Sequence, residues 1–373
     1  MSLETERQQR QLAFVASGQA LQVGDLEGLG ISLPELKTTC HDSDYVVTSF
    51  NQGLTATVFK LKLAGQHWTL KLKRPESLVK NVDGETSFLN EVQRRCDFTR
   101  LKAASPERFT HVVDTQFASF LDGVILSPWI EGHPIDPVNE AMFSQLFQTL
   151  TNIELAGLFE WDLCPGNLLA TPQGEVKLFD FGYMYEFDPL TQFNSNGLDT
   201  PLFHAIERFE TRFFFGYLLK AQQHLTPSEI KQLFKMEKSC ALVAYQNKYQ
   251  QLQQLDADKL ILDGLDKLVT SWQSALQSHV ELDNLYLLES FRSNLLDALD
   301  DVHGKSCNPA TICKVDYVLD MVKNHFPLLS QREGLFFGDE KLNQKQLIEK
   351  YQNLRSDSLR YQLALDLTVT NSP

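Results

Sequence analysis

Two aspartates and one asparagine in the middle of the chain have types and spacing that suit chemistry on a phosphate ester. Asp162 and Asn167 lie five residues apart in a loop with Pro165 and Gly166, and Asp180 follows a short apolar segment. Carboxylate and amide oxygens are ligands that Mg²⁺ prefers, and a further carboxylate can orient or deprotonate a hydroxyl that attacks phosphorus. The three side chains are therefore of the types that phosphoryl transfer from ATP needs.

The order of these residues resembles that of the protein-kinase-like superfamily. Residues 162–167 are similar to the catalytic loop D-L-x-x-x-N, and residues 180–182 match the D-F-G motif. The resemblance implies that Asp162 orients the acceptor hydroxyl while Asn167 and Asp180 hold Mg²⁺. The alternative is an Asx turn followed by an unrelated strand and turn.

The same resemblance implies a lysine that contacts the α- and β-phosphates of ATP and pairs with a helix glutamate. Lys71 ends a segment that is similar to the family motif V-A-I-K, and Lys73 is the second choice. Glu91 is the first choice for its catalytic partner, with Glu85 second. The alternatives are a strand lysine that faces solvent and an ordinary exposed helix carboxylate.

The nucleotide contacts also follow from the resemblance. Gly53 and Val58 occupy the place of the Gly-rich loop over the phosphates, although only one of the three family glycines is present. Thr69 is expected to face the adenine. Ser127 is expected to occupy the gate position, next to the hinge that joins the two lobes. Adenine contacts are expected at residues 128–130, where Ile130 is the better donor because proline lacks an N–H. A plain strand and turn is the alternative.

The residues around the catalytic aspartate depart from the protein-kinase pattern. Glu160 replaces a histidine, Cys164 replaces a lysine, and Trp161 replaces an arginine that would pair with an activation-loop phosphate. A tryptophan cannot form that pair, so this mode of control is not expected. The loop ending Pro-Gly-Asn is more similar to aminoglycoside and choline kinases. Together these features favour an atypical, bacterial-type kinase.

The pattern of apolar residues predicts the elements that must position these side chains. Residues 45–75 and 109–130 read as short strands, and residues 85–101 read as a helix with Asp83 as its N-cap. Helical periodicity dominates from about residue 140 onward. With the resemblance, this implies an α+β class and a bilobal protein-kinase-like fold, with a small β-rich N-lobe carrying one helix and a large helical C-lobe.

The domain boundaries follow from the motifs. We expect an N-terminal extension at 1–44, the N-lobe at 45–127 and the C-lobe at 128–373. The C-lobe would contain the catalytic loop at 160–169, the D-F-G segment at 180–182 and extra C-terminal helices.

Two further segments have polar residues that could serve the acceptor. Residues 193–199 are rich in turn formers and could border the acceptor site, although a plain surface loop is the favoured interpretation. Arg208 and Arg212 lie one helical turn apart and could bind an anionic acceptor. For this pair, a solvated helix face is the favoured interpretation.

Composition narrows the classes of partner. The 373 residues carry 34 Lys and Arg against 48 Asp and Glu, a net charge of −14. This balance argues against a nucleic-acid partner, since phosphate contacts need clustered cations. No segment reaches the roughly 18 apolar residues that a membrane span requires. Six scattered cysteines and the polar N-terminus favour reduced thiols and a cytoplasmic location.

Taken together, these features predict an enzyme. The first hypothesis is a kinase that moves the γ-phosphate of Mg-ATP to a hydroxyl of an unidentified acceptor, either a protein Ser or Thr or a small molecule. The alternative is a pseudokinase or nucleotide-sensing scaffold, or a nucleotidyl transferase on the same fold. The incomplete Gly-rich loop and the replacements at Trp161 and Cys164 motivate this alternative.

Overall fold

The computed structural model describes residues 2–50, 53 and 55–363. Asn51, Gln52 and Leu54 of the predicted Gly-rich loop lie outside the described residues, as do Met1 and residues 364–373. Within the described part, a small antiparallel sheet accompanies a large helical region. The predicted α+β class is thereby confirmed.

Six strands form one antiparallel sheet in the order β1-β5-β6-β4-β3-β2. These strands are β1 (Gln22–Gly24), β2 (Val46–Phe50), β3 (Ala56–Leu63), β4 (Gln66–Lys73), β5 (Phe117–Ser119) and β6 (Val124–Pro128). Two smaller ladders pair β7 (Leu158–Glu160) with β10 (Met184–Glu186), and β8 (Leu168–Ala170) with β9 (Val176–Leu178). The sheet contains the strands expected in residues 45–75 and 109–130.

A two-residue turn joins β3 to β4 and sets the register of the hairpin. Ala64 and Gly65 both have positive φ, 48° and 81°, as in the two-residue turns that match the twist of paired strands. The register pairs Leu63 with Gln66 and continues to Ala56 opposite Lys73. Successive side chains of β4 point to opposite faces of the sheet, as the sequence predicts.

Eleven α-helices are described. They are α1 (Leu3–Ser17), α2 (Leu33–Lys37), α3 (Val82–Ala104), α4 (Glu140–Leu155), α5 (Ala205–Phe209), α6 (Phe215–Ala221), α7 (Pro227–Gln254), α8 (Lys259–Leu276), α9 (His279–His303), α10 (Pro309–Gln331) and α11 (Gln344–Arg360). The helix expected at 85–101 is α3, which packs Phe88, Leu89 and Val92 against the sheet. Among the described residues, no helix combines the length and apolar character needed to cross a bilayer.

The N-cap of α3 differs from the prediction. The side chain of Asn81 accepts a hydrogen bond from the Gly84 N–H at 2.7 Å, so Asn81 is the N-cap and the prediction of Asp83 is wrong. Asn and Asp cap helices about equally well, so residue type alone does not choose between them. Asp83 instead lies in the first turn, where a carboxylate is favoured, and pairs with Arg7 at 2.8 Å.

The chain divides into two compact units. The first combines Met1–Arg208 with Met236–Trp272 and contains every residue of the predicted site. Within it, the predicted extension at 1–44 supplies β1, which pairs with β5, and helix α1, which packs on α3. The boundaries expected at 44 and 127 stay predictions.

The second unit combines Phe209–Lys235 with Gln273–Pro373, and its described part is helical. Its core packs α9, α10 and α11 around Phe291, Val318 and Tyr351. Arg212 pairs here with Asp297. The expectation that Arg212 lies on a solvated face is therefore wrong.

Candidate active site

Lys71 is a buried cation on the central strand β4. Its neighbours across the ladder are Val58 on β3 and Ile125 on β6, and the residue is 8% exposed. A buried ammonium requires compensating charge. Its Nζ lies 3.0 Å from Oε2 of Glu91 and 2.8 Å from Oδ2 of Asp180. The structure thus brings together three residues from β4, α3 and the D-F-G segment.

The second choices do not join this cluster. Lys73 is exposed, and its ammonium lies 5.0 Å from the centre of the Phe120 ring. Glu85 is also exposed, on the first turn of α3. Lys71 and Lys73 share one face of β4, so burial distinguishes them, whereas the helical repeat of α3 separates the buried Glu91 from the exposed Glu85.

Arg95 extends the ion-pair cluster in a way that the sequence analysis missed. Its Nη2 lies 2.9 Å from Oε1 of Glu91, and its Nη1 donates to Oγ of Ser127 at 3.1 Å. Glutamate and arginine at i and i+4 on a helix could have signalled this pair. The result is a group of two cations and two carboxylates, in which Lys71, Arg95 and Glu91 are buried and Asp180 is partly exposed.

The opposite charges in this group keep Lys71 and Asp180 ionised. Burial alone would lower the pKa of Lys71, but Asp180 and Glu91 outweigh it and hold that pKa above its ordinary value. Burial likewise opposes ionisation of Asp180, yet the Lys71 and Arg95 cations hold its pKa below the usual range. Lys71 and Asp180 are therefore both ionised at neutral pH.

The hairpin of β8 and β9 explains the spacing between Asn167 and Asp180. Leu168 pairs with Leu178 in antiparallel register, so the residues just outside the ladder meet at its open end. There the Phe179 N–H donates to the main-chain oxygen of Asn167 at 3.2 Å. A separation of 13 residues in sequence is thus closed by one short hairpin.

The backbone around the two aspartates is held in special conformations. Asp180 has a positive φ of 68°, a region that Asn and Asp tolerate better than most residues. The side-chain amide of Asn167 donates to the main-chain oxygen of Asp162 at 2.8 Å. Because this bond uses the nitrogen of the amide, its oxygen is the atom that can bind a cation.

The residues present fit Mg²⁺. Asn167 supplies an amide oxygen and Asp180 a carboxylate that is 40% exposed, both hard donors of the kind this ion takes alongside phosphates and water. Among the described residues, no group of three or more His, Cys, Asp or Glu side chains could hold a metal.

Glu160 is a buried carboxyl behind the catalytic loop. One of its oxygens accepts a hydrogen bond from the Asp162 N–H at 2.7 Å, and the residue is 2% exposed. Burial raises the pKa of Glu160 well above its ordinary value, although the bond from Asp162 acts in the opposite direction. From the sequence, Glu160 stands out only because it replaces a histidine. Its contact with the Asp162 backbone is seen only in the structure.

Trp161 links the catalytic loop to residues 193–199. Its Nε1 donates to Oγ of Ser195 at 2.9 Å, and the Arg208 guanidinium lies 5.4 Å from its ring centre. Ser195 and Arg208 are 7% and 3% exposed. The favoured interpretations of these two segments, a plain surface loop and a solvated helix face, are therefore wrong at Ser195 and Arg208, because both side chains pack against Trp161.

The predicted nucleotide contacts lie along the same strands. Thr69 is two residues before Lys71 on β4, on the same face, and pairs across the ladder with Ser127. The Trp129 N–H donates to the main-chain oxygen of His67 at 3.1 Å. Because residue 128 is proline, Ile130 is left as the candidate donor among residues 128–130.

The described part of the Gly-rich loop contacts the residue that follows β4. The main-chain oxygen of Gly53 accepts a hydrogen bond from Nε of Arg74 at 2.9 Å. Val58 lies on β3 directly opposite Lys71. Both residues therefore lie close to the strand that carries Lys71. Their contact with a nucleotide stays a prediction.

Comparison with known proteins gives partial matches. No family model matches the chain. Over 115 residues, 30% of the chain, it is 27% identical to an uncharacterised chloroplastic aarF domain-containing protein kinase of Arabidopsis thaliana, of which the match covers 16%. A solved structure of vaccinia related kinase 3 is similar over 39% of this chain and 48% of that one, at 12% identity and a TM-score of 0.28, too low to support a fold assignment.

The chain thus spans only a small part of the curated relative that it matches. The similarity to an aarF-domain kinase agrees with the predicted protein-kinase-like superfamily. Neither match supports the predicted likeness to aminoglycoside and choline kinases. What the chain shares with known proteins is therefore a resemblance to protein kinases over part of its length.

Proposed function

We propose that this chain is an ATP-dependent phosphotransferase that acts on a hydroxyl acceptor. The observation that carries the proposal is the position of Lys71, whose ammonium lies 3.0 Å from Glu91 and 2.8 Å from Asp180. Such a cation, held by a helix carboxylate next to a metal-binding carboxylate, is suited to contact the α- and β-phosphates of ATP. Gly53, Val58, Thr69, Ser127 and Ile130 would surround the rest of the nucleotide.

In the proposed reaction, the oxygen of an acceptor hydroxyl forms a bond to the γ-phosphorus of ATP. The bond between that phosphorus and the β,γ-bridging oxygen breaks, and ADP leaves. The hydroxyl proton passes to the carboxylate of Asp162, which the Glu160 and Asn167 side chains hold through its main chain. Positioning and charge account for most of the expected rate enhancement.

Asn167 and Asp180 would hold Mg²⁺, which neutralises charge on the β- and γ-phosphates when bound. The hairpin of β8 and β9 keeps these two residues at one end of one ladder. Asn167 is in turn hydrogen-bonded to Asp162, so that the metal ligand and the proton acceptor share one short loop.

The acceptor remains the open part of the proposal. A protein Ser or Thr and a small-molecule hydroxyl both fit the chemistry of Asp162. A cytoplasmic location likewise stays a prediction, and the relative that matches is named as chloroplastic. We include nucleotide sensing and nucleotidyl transfer as alternatives, because Trp161 and Cys164 depart from the kinase pattern.

A parallel labelling experiment tests the proposal. The purified chain with Mg²⁺ and cell extract receives ATP labelled at the γ- or the α-phosphate, and the label is separated into protein and metabolite pools. Transfer of γ-label alone supports a kinase, and the pool that carries it identifies the acceptor class. Transfer of α-label indicates nucleotidyl transfer. Stabilisation by ATP with no transfer of either label would contradict phosphotransfer and indicate sensing.

A further inference from the structure

Helix α3 carries more than Glu91 to the active site. The side-chain amide of Asn90 donates to the main-chain oxygens of Phe181, Gly182 and Met184 at 3.1, 3.0 and 2.7 Å. Asn90 is 2% exposed. Adjacent residues of one helix therefore hold Lys71, through Glu91, and the backbone of the D-F-G segment, through Asn90.

Helix α1 contacts the same side chain of α3. Nε2 of Gln11 lies 3.4 Å from Oδ1 of Asn90, and Oε1 of Gln11 accepts a hydrogen bond from Thr86 at 3.2 Å. Gln11 is 6% exposed. Its oxygen also accepts from Nη1 of Arg7 at 3.2 Å. One buried amide of α1 thus completes the hydrogen bonds of the amide that holds the D-F-G backbone.

Arg7 joins α1 to both sides of this arrangement. Its Nη1 pairs with Asp83 in the first turn of α3 at 2.8 Å, and its guanidinium carbon lies 3.6 Å from the centre of the Tyr185 ring on β10. The side chains of Arg7 and Asp83 are 13% and 21% exposed, so solvent screens the pair only in part. Arg7 therefore bridges α3 and the strand that follows the D-F-G segment.

The start of α1 reaches a third segment. A Cβ placed on Gly197 would lie 2.8 Å from Cδ1 of Leu3, so the two residues are in close contact. Gly197 belongs to the loop at 193–199 that Trp161 holds through Ser195. Helix α1 thus touches α3, the residues after Asp180 and the loop next to Trp161.

We propose that α1 is a positioning element for the active site. It holds α3 and the D-F-G segment in the arrangement in which Glu91 and Asp180 both reach Lys71. Gln11 and Arg7 are the positioning residues, and neither lies among the proposed catalytic, metal or nucleotide contacts. This inference rests on the proposed function for its effect on turnover, whereas its effect on the backbone is independent of activity.

The test compares variants on one helix. Arg7→Ala, Gln11→Ala and the double variant remove the contacts, while Gln9→Ala and Arg10→Ala change exposed neighbours of matched type. We measure kcat and KM for ATP with γ-labelled ATP, and amide hydrogen exchange across the full chain. We expect kcat to fall by about three- to thirtyfold in the double variant, with a smaller change in KM for ATP.

Hydrogen exchange separates positioning from a general loss of stability. In the variants, exchange should accelerate in α1, in α3 and in residues 181–186 and stay unchanged elsewhere, and both controls should match the unmodified chain. Arg7→Lys keeps the cation and should restore turnover relative to Arg7→Ala. Exchange and kcat equal to those of the controls would overturn the inference, as would acceleration spread evenly over the chain. If the unmodified chain has no turnover, the proposed function fails and exchange alone decides the inference.

Discussion

Lys71 is paired with Asp180, 109 positions later in the sequence, with 2.8 Å between Nζ and Oδ2. The same ammonium lies 3.0 Å from Glu91, so one cation joins the sheet, helix α3 and the D-F-G segment. The pair also has a consequence for metal binding: Lys71 contacts Oδ2 of Asp180, so the second carboxylate oxygen, Oδ1, can bind Mg²⁺ while the ion pair persists.

Replacement of Lys71 should remove the proposed phosphate contact. We expect Lys71→Met to lower turnover of ATP by about 10²- to 10³-fold, because preorganised charge is the main proposed source of rate enhancement. Lys73→Met is the matched control, since it removes an exposed lysine from the same face of β4. Steady-state kinetics measure both. Equal losses in the two variants would show that Lys71 has no special role.

Asp162 should affect turnover and leave nucleotide binding intact. Asp162→Asn removes the proposed proton acceptor, and we expect a loss of about 10²- to 10⁴-fold in kcat. Stabilisation by ATP in a thermal shift assay should be kept, because Asp162 is not a proposed nucleotide contact. The control is Asp199→Asn, an exposed aspartate in the loop at 193–199. Full activity of Asp162→Asn would exclude it as the base.

Asp180 should govern the response to Mg²⁺. Asp180→Asn keeps a residue that tolerates the positive φ of 68° and removes the negative charge, so the backbone is disturbed little. We expect the extra thermal stabilisation that Mg²⁺ adds to ATP to disappear in this variant. The same titration with Asn167→Ala should show a partial loss. An unchanged Mg²⁺ effect in both variants would contradict the proposed metal site.

Glu160 should make stability depend on pH. Its pKa in the folded chain is raised well above the ordinary 4.5 by burial, so the folded state keeps a proton that the unfolded state has lost. The free energy of unfolding should therefore fall as pH rises from about 4.5 to the raised pKa, by at most about 1.4 kcal/mol per pH unit.

Glu160→Gln isolates this effect. Residue 160 of the variant cannot titrate. The free energy of unfolding of the variant minus that of the unmodified chain should therefore increase as pH rises across the same window. Urea denaturation at several pH values, without Mg²⁺ or nucleotide, measures the difference. A constant difference between the two chains would show that Glu160 has an ordinary pKa.

Trp161 and Ser195 should be energetically coupled. Trp161→Phe keeps an aromatic ring beside Arg208 and removes the Nε1 donor, whereas Ser195→Ala removes the acceptor. A double-mutant cycle on unfolding should give a coupling of about 1 kcal/mol, the usual net value of a buried hydrogen bond. Additive effects of the two substitutions would mean that the bond contributes nothing.

Much of the candidate site could be predicted from the sequence because its residues lie in short local motifs. The resemblance to kinase motifs selected Lys71 and Glu91, and strand alternation placed Lys71 and Lys73 together on one face of β4. The spacing of 13 between Asn167 and Asp180 reflects one hairpin, which is a local structure. Motif order and spacing were therefore sufficient to select these residues, while strand and helix periods predicted the elements that carry them.

The partners of those residues were decided by tertiary structure alone. Asn90, Gln11 and Arg7 carry no motif, and they act only because α1 packs against α3 and brings an amide to the D-F-G backbone. The burial of Arg208 beside Trp161 was likewise missed. The N-cap of α3 was missed for a different reason, because its contact is local and residue type does not choose between Asn and Asp. Local patterns predict what a residue can do, but contacts between segments 70 or more residues apart depend on packing that periodicity does not encode.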